Sequence, residues 1–174
     1  MNILNYLKEN IVTLDGGMGT LLQAEGLRPG ELPERWNLLH PEVIRRIHRA
    51  YFEAGSNIVS TNTFGANRLK FSSEELEEIV RAAVENARKA QVGIDHATFV
   101  GLDIGPTGRM LKPYGDLDFE DAVGIFAETV RLGVKYGVDL IFNETMNDSL
   151  ECKAAVLAAK ENSDLPIFVS CDKM

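Results

Sequence analysis

Five short apolar segments, separated by longer amphipathic stretches, constrain the fold of this chain more than any other feature of its sequence. They are rich in β-branched residues and apolar almost throughout, as expected of strands that are buried on both faces of a parallel sheet. They lie at 11–15, 57–64, 97–104, 138–144 and 166–171. The alternation predicts an α/β fold in which helices connect neighbouring parallel strands.

The stretches between these segments carry the signals of helix ends. Ser72 and Glu75 form a capping box, and Pro41 occupies a first helical position. Asp118 is the expected cap of a further helix, and either Asp148 or Asn147 that of the last one. Two architectures fit this order, an open doubly wound sheet and a (β/α)8 barrel. A barrel usually needs about 250 residues. Because this chain has 174, length alone favours the open sheet.

Composition and charge argue against several classes of function. The net charge of -8 does not suit nucleic-acid binding, and no segment approaches the roughly 20 apolar residues of a membrane span. The N-terminus is typical of a short amphipathic helix and not of a signal peptide. Cys152 and Cys171 are too few for a disulfide framework. We therefore expect a cytoplasmic protein that binds neither nucleic acid nor membranes.

Polar residues follow the first four predicted strands directly at their carboxyl ends, where parallel α/β folds bind ligands. One strand ends in Thr61, Asn62 and Thr63, and the other three end in the acids Asp15, Asp103 and Glu144. Carboxylates that converge repel one another unless a cation or an ammonium group lies among them. The pattern therefore predicts a site for a positively charged group.

The first of these strand ends is the glycine-rich loop LDGGMGT, which lacks the lysine of a phosphate-binding loop. Its glycines let a ligand or a neighbouring loop approach the backbone, and the N–H groups of Gly16 and Gly17 can bind a carboxylate. The ligand that we expect is an amino acid, whose ammonium group can form charge-assisted hydrogen bonds with Asp15 and Glu144. A bound divalent metal explains the same acids and remains the alternative.

Four motifs, in matching order and spacing, resemble the homocysteine S-methyltransferase family, and most closely the homocysteine-binding domains of its cobalamin-dependent methionine synthases. They are LDGGMGT, PERWNLLHPEVIRRIHRAYFEAGSNIVSTNTFGANRLK, DIGPTGRMLKPYGDL and FNETMNDSLECKAAVLAA. The resemblance runs from about residue 11 to the end of the chain. It implies a (β/α)8 TIM barrel, against the expectation from length. Residues 1–174 are then the N-terminal portion of such a barrel, with roughly its first five strands.

The activity that this resemblance implies is methyl transfer to the homocysteine thiolate, which forms methionine. The resemblance assigns Asp15 and Glu144 to homocysteine binding, with Gly16 and Gly17 near the polar end of the substrate. The other carried-over pocket residues are Thr61, Asn62, Thr63 and Asp103. The implied methyl donor is methylcobalamin, bound by other domains of a methionine synthase.

The same resemblance implies a zinc ion that activates the substrate thiol and is held by three cysteine thiolates. In the family these cysteines follow strands six and eight, so they lie beyond residue 174, and no catalytic or metal-binding residue is identifiable before it. Cys152 is expected to pack within a helix, and Cys171 matches no zinc-ligand position. We therefore expect no tight zinc binding and negligible catalysis by residues 1–174 alone.

Three further expectations follow from the sequence. Unpaired strand edges should make residues 1–174 self-associate or fold only marginally. Met18 and Trp36 are candidates for contact with the substrate, although packing is the commoner role of both residue types. Two other functions stay open, a non-catalytic module that binds an amino acid and a divalent-metal-dependent barrel enzyme that uses Asp15, Asp103 and Glu144.

Overall fold

The computed structural model describes residues 2–171, in which helices and parallel strands alternate. The helices are α1 Ile3–Tyr6, α2 Met18–Ala24, α3 Trp36–Leu39, α4 Pro41–Glu53, α5 Ser73–Gln91, α6 Phe119–Tyr136 and α7 Ser149–Asn162, with a 3-10 helix at Pro33–Arg35. The strands are β1 Ile58–Ser60, β2 Phe99–Ile104, β3 Leu140–Met146 and β4 Ile167–Cys171. The predicted α/β class is confirmed. Within residues 2–171, no helix is both long enough and apolar enough to cross a membrane.

The four strands form one parallel sheet in the order β1-β2-β3-β4. Every strand therefore lies beside its neighbour in the chain. Since crossovers between parallel strands are almost always right-handed, the connecting helices all fall on one side of such a sheet. A doubly wound sheet would reverse its strand order to place helices on both faces. The observed order is that of part of a (β/α)8 barrel, so the expectation from chain length was wrong.

The first predicted strand, at 11–15, is reduced to a single parallel bridge between Leu14 and Ile58. The segment still runs along β1, because the Asp15 N–H donates to the Ile58 carbonyl at 2.9 Å. The N–H of Thr13 is bound by the side chain of Asn57 at 3.1 Å, where a ladder would use a backbone carbonyl. This side-chain contact replaces a rung of the ladder, yet the segment still brings Asp15 to the edge where β1 ends.

Side chains alternate between the two faces of the sheet. Those on the helix side, which include Val59, Val100 and Ile141, belong to the main hydrophobic core. Those on the opposite face form a second cluster with α1, made of Ile3, Ile58, Phe99, Leu140 and Phe142. The short N-terminal helix is thus confirmed. The next positions on this opposite face, toward the carboxyl ends of the strands, are Ser60, Asp103 and Glu144.

Two of the three predicted helix caps are made by side chains. The Ser72 hydroxyl accepts from the Glu75 N–H at 3.2 Å, and Asp148 Oδ1 accepts from two N–H groups of the first turn of α7 at 2.7 and 3.0 Å. Asp118 occupies the N-cap position of α6 but makes no side-chain cap. Its carboxylate instead pairs with Lys112 at 2.9 Å, so the prediction of Asp118 as a side-chain cap was wrong.

Candidate functional site

A cavity of about 290 Å³ opens at the carboxyl ends of β1, β2 and β3. Of the eight residues predicted as substrate-binding, only Thr63 does not line it. The seven that do are Asp15, Gly16, Gly17, Thr61, Asn62, Asp103 and Glu144. The other lining residues are Met18, Gly19, Pro33, Glu34, Ser60, Phe64 and Thr145. The lining thus contains four carboxyl groups and neither lysine nor arginine, a composition that suits a cation or a group rich in hydrogen-bond donors.

Asp15 joins the end of its own segment to the end of β1. Its Oδ2 accepts from the Ser60 N–H at 2.8 Å and its Oδ1 from the Ser60 hydroxyl at 3.2 Å. Burial raises the pKa of Asp15 to about 7, the bonds from Ser60 oppose this rise, and the charge of Glu144 adds to it. Asp15 therefore changes its charge near neutral pH, so a nearby ammonium group would favour its ionised form.

Asp103 and Glu144 stand on the adjacent strands β2 and β3, and the ionisation of Asp103 depends on Glu144. Burial, and after it the charge of Glu144 and a hydrogen bond with it, raise the pKa of Asp103 well above the ordinary value for an aspartate. Among the described residues, Asp103 Oδ1 is buried without a hydrogen-bond partner. Burial and the charge of Glu144 therefore both favour the protonated form of Asp103.

A closed ring of hydrogen bonds ties the loop after β1 to the end of β2. Thr63 Oγ1 donates to the Asp103 carbonyl at 2.8 Å, so the hydroxyl of Thr61, 2.7 Å away, must donate to Thr63. The Asp103 N–H in turn donates to Thr61 Oγ1 at 3.1 Å. Thr63 therefore has a positioning role behind the cavity and no place in its lining.

Glu34 is a cavity residue that the strand-end pattern does not predict. Its Oε1 accepts from the Gly65 N–H at 2.7 Å, while its buried Oε2 has no hydrogen-bond partner in residues 2–171. Two amides hold its segment over the cavity, because Asn62 donates to the Pro33 carbonyl and Asn37 donates to the Asn62 carbonyl, both at 2.8 Å. Glu34 precedes α3 and follows no strand, so the sequence carries no comparable signal for it.

Thr145, directly after Glu144, is the other cavity residue with unusual geometry. Its φ of 56° lies in the left-handed region, which β-branched residues rarely adopt. The irregular pairing of β3 with β4 begins at Asn143 and ends at Met146, and within it the Thr145 N–H donates to Ser170 Oγ at 3.0 Å. Such strain is characteristic of functional sites, where the surrounding structure holds it in place.

The glycine-rich loop accommodates a side chain from α4. A Cβ atom at Gly16 would lie 2.9 Å from the Tyr51 hydroxyl, and that hydroxyl donates to the Gly17 carbonyl at 3.3 Å. Burial, followed by the charge of Asp15, raises the pKa of Tyr51. A side chain at position 16 would therefore displace the Tyr51 hydroxyl from its contact with the loop.

The remaining candidates separate into those inside and those outside the cavity. Met18 lines it, whereas Trp36 is buried in a cluster with α2 and α4 and its ring lies 4.3 Å from that of His40. Trp36 is thus a packing residue.

His48 is fully buried, with no partner for either ring nitrogen among the described residues, and burial lowers its pKa to about 4.

The side chains in residues 2–171 do not fit the zinc ion that the resemblance implies. In this range no three His, Cys, Asp or Glu side chains come together in a way that could hold a metal ion. The thiols of Cys152 and Cys171 lie outside the cavity. The strand-end acids likewise do not converge as ligands of one divalent ion, which removes support from the metal-enzyme alternative.

Comparisons with known proteins give a consistent family and fold. A family model described as homocysteine S-methyltransferase matches residues 12–173. A methionine synthase from Mycobacterium leprae (strain TN) is 30% identical over 186 residues, which cover 97% of this chain and 15% of that protein. Crystal structures of the homocysteine methyltransferase MmuM from Escherichia coli share the fold. The apo form has a TM-score of 0.76 at 22% identity, and the metallated form has a TM-score of 0.81 at 21% identity.

The chain is much shorter than these relatives. It covers 61% of the apo Escherichia coli structure and 65% of the metallated one, and about 15% of the methionine synthase. With 95% of this chain superposed in each case, the four-stranded sheet corresponds to part of a TIM barrel. The barrel predicted from the motifs is confirmed.

Proposed function

Since the chain belongs to the homocysteine S-methyltransferase family, we propose that it is the homocysteine-binding part of a homocysteine S-methyltransferase or methionine synthase. The observation that carries this proposal is the cavity at the strand ends, which is lined by Asp15 from the first segment, Asp103 from β2 and Glu144 from β3. A single ammonium group placed among them would offset their repulsion and donate hydrogen bonds to their oxygens.

The proposed ligand geometry uses both parts of the amino-acid backbone. The ammonium group lies between Asp15 and Glu144, where it stabilises the ionised form of Asp15. The carboxylate lies toward the backbone N–H groups of Gly16 and Gly17. The loop of Thr61 and Asn62 forms the wall of the pocket, and Asp103 keeps Glu144 in place from the adjacent strand.

The proposed reaction is methyl transfer to the sulfur of the bound homocysteine. A bond forms between sulfur and the methyl carbon as the bond from that carbon to its donor breaks, and the thiol proton is released. The donor that the family resemblance suggests is methylcobalamin, presented by other domains in the cytoplasm. Because the described side chains provide no zinc site, we expect residues 1–174 to bind homocysteine without transferring a methyl group to it.

Calorimetric titration of the chain with L-homocysteine tests the proposal. Saturable binding is expected, and Asp15→Asn should weaken it about ten- to a hundredfold, because a hydrogen bond to a charged group is lost. 4-Mercaptobutyrate, which keeps the thiol and the carboxylate but lacks the ammonium group, should bind as weakly to the wild-type chain as homocysteine binds to the variant.

A matched control is Asp95→Asn, since Asp95 is exposed and precedes β2 at the opposite end of the sheet. This variant should bind homocysteine as the wild type does. Equal affinity of wild type and Asp15→Asn for homocysteine would remove Asp15 from the site. Equal affinity of the wild type for homocysteine and 4-mercaptobutyrate would overturn the ammonium site as a whole.

A further inference from the structure

The only two cysteines of the chain meet at the same rim as the cavity but outside it. Cys152 lies in the first turn of α7, where its N–H donates to the Asp148 carbonyl at 2.9 Å, and Cys171 is the last residue of β4. Their Sγ atoms are 3.7 Å apart. Both are free thiols, Cys171 exposed and Cys152 half-buried. The proposed binding of homocysteine gives neither of them a role.

We propose that Cys152 and Cys171 form a reversible disulfide that links the start of α7 to the end of β4. A disulfide needs a sulfur–sulfur distance of about 2.05 Å, so the two atoms must approach by roughly 1.6 Å. The proposal requires that side-chain rotation and a small shift of the last strand residue close this gap. The exposure of Cys171 gives an oxidant access to the pair.

The oxidation balances with a small-molecule disulfide of the glutathione class as the oxidant. The thiolate of Cys171 attacks a sulfur of the oxidant, a mixed disulfide forms, and one glutathione thiolate leaves. The thiolate of Cys152 then attacks Cys171 Sγ and expels the second glutathione thiolate. Two electrons pass from the protein to the oxidant, and the protons of the two cysteine thiols pass through solvent to the glutathione thiolates.

The order of attack follows from the surroundings of the two thiols. Burial, and after it the neighbouring Cys171, raises the pKa of Cys152 to about 11. Only a small fraction of Cys152 is therefore a thiolate at neutral pH, and ring closure is the slow step. The rate of closure should rise about tenfold for each pH unit between roughly pH 7 and 9.

The disulfide would span the strained end of β3. Met146 pairs with Cys171 across the sheet, and the Thr145 N–H donates to Ser170 Oγ. On the helix side, Glu151 beside Cys152 accepts from the Thr107 N–H at 2.8 Å. Oxidation would thus fasten together the two elements that flank the strand end carrying Glu144, while reduction would leave them held by non-covalent contacts.

The test treats the reduced chain, at low concentration, with mixtures of reduced and oxidised glutathione, followed by acid quenching, thiol alkylation and mass spectrometry. The expected product is a monomer lighter by two hydrogen masses, with a peptide map that joins Cys152 to Cys171. Closure should be faster in the folded chain than in urea, because the fold already holds the two sulfurs in contact. Its rate should rise with pH as stated above.

Two variants serve as matched controls. Cys152→Ser should accumulate a stable glutathione adduct on Cys171, since no second thiol is present to resolve it. Cys171→Ser should react slowly, because the remaining thiol is half-buried and poorly ionised. Disulfides only between chains, or closure no faster in the folded chain than in urea, would overturn the proposal. A closure rate independent of pH would overturn the assignment of Cys152 as the second attacking group.

Discussion

At the scale of single residues, Asp15 should make the stability of the chain depend on pH. Its pKa is raised from about 3.8 to about 7 on folding, so between these pH values the folded chain keeps a proton that the unfolded chain has released. The contribution of Asp15 to the free energy of unfolding therefore falls as pH rises through this window, by at most about 1.4 kcal/mol per pH unit. Urea unfolding at several pH values should show a smaller fall for Asp15→Asn.

His48 provides an internal check on the sign of this effect. Its pKa is lowered to about 4 by burial, so below its ordinary value of about 6.5 the unfolded state binds the extra proton. This contribution makes stability rise with pH, opposite to that of Asp15, and it is present in the wild type and the variant alike. The difference between the two proteins therefore reports on Asp15, and parallel curves would show that its burial does not raise its pKa.

The residues of the cavity divide into those that sequence reasoning finds and those that it cannot find. Asp15, Asp103 and Glu144 were predicted, because a polar residue directly after an apolar strand has a fixed place in any parallel α/β fold. Glu34 lies far from any strand and reaches the cavity only through amide contacts made in the folded chain. The left-handed backbone of Thr145 likewise results from the irregular pairing of two strands, which no local pattern encodes.

At the scale of elements, the aspartates that precede α6 and α7 should contribute differently to the free energy of unfolding. Asp148 accepts hydrogen bonds from two N–H groups of α7, and Asp118 accepts none from α6. Asp148→Ala should therefore lower the free energy of unfolding by about 1 kcal/mol. Asp118→Ala loses mainly an exposed pair with Lys112 and should cost less than about 0.5 kcal/mol. Equal losses in urea unfolding would contradict the observed caps.

The boundaries of elements were predicted unevenly, for a physical reason. The long helices were placed closely because apolar spacing and end signals are local, and α5 runs over Ser73–Gln91 after its Ser72 cap. Strand lengths depend on partners that are remote in sequence. The segment predicted at 57–64 is a strand only over Ile58–Ser60, because its second half turns away to bind Asp103 and the segment of Glu34.

At the scale of the whole molecule, the outer edge of β4 should drive self-association. Among the described residues β4 pairs with β3 alone, and Val169 on it is 44% exposed. An exposed apolar edge is a template for pairing with another chain, and a lysine there opposes such pairing. Val169→Lys should therefore shift the chain toward monomer in analytical ultracentrifugation.

Val92→Lys is the matched control, because Val92 is 74% exposed but follows α5, away from the sheet edge. It should leave the association state of the chain unchanged. A wild-type chain that is monomeric at all concentrations and unfolds in one sharp, reversible transition would contradict the prediction.

The choice between barrel and open sheet could not be made from strand and helix patterns, because both folds share the same local alternation. The four motifs favoured the barrel, and the sequential order of β1 to β4 agrees with them. Chain length was a misleading guide, since it assumes that the chain holds every strand of its fold.

The ring of hydrogen bonds formed by Thr61, Thr63 and the backbone of Asp103 also affects which ligand groups can bind in the cavity. Each hydroxyl in the ring has a single proton, and both protons point along the ring toward the Asp103 carbonyl. Thr61 therefore has no donor left to offer, and the acidic side chains around it present oxygen acceptors. A ligand group that lies against Thr61 must therefore bring its own hydrogen-bond donors, which leaves the N–H groups of Gly16 and Gly17 as the place for its acceptors.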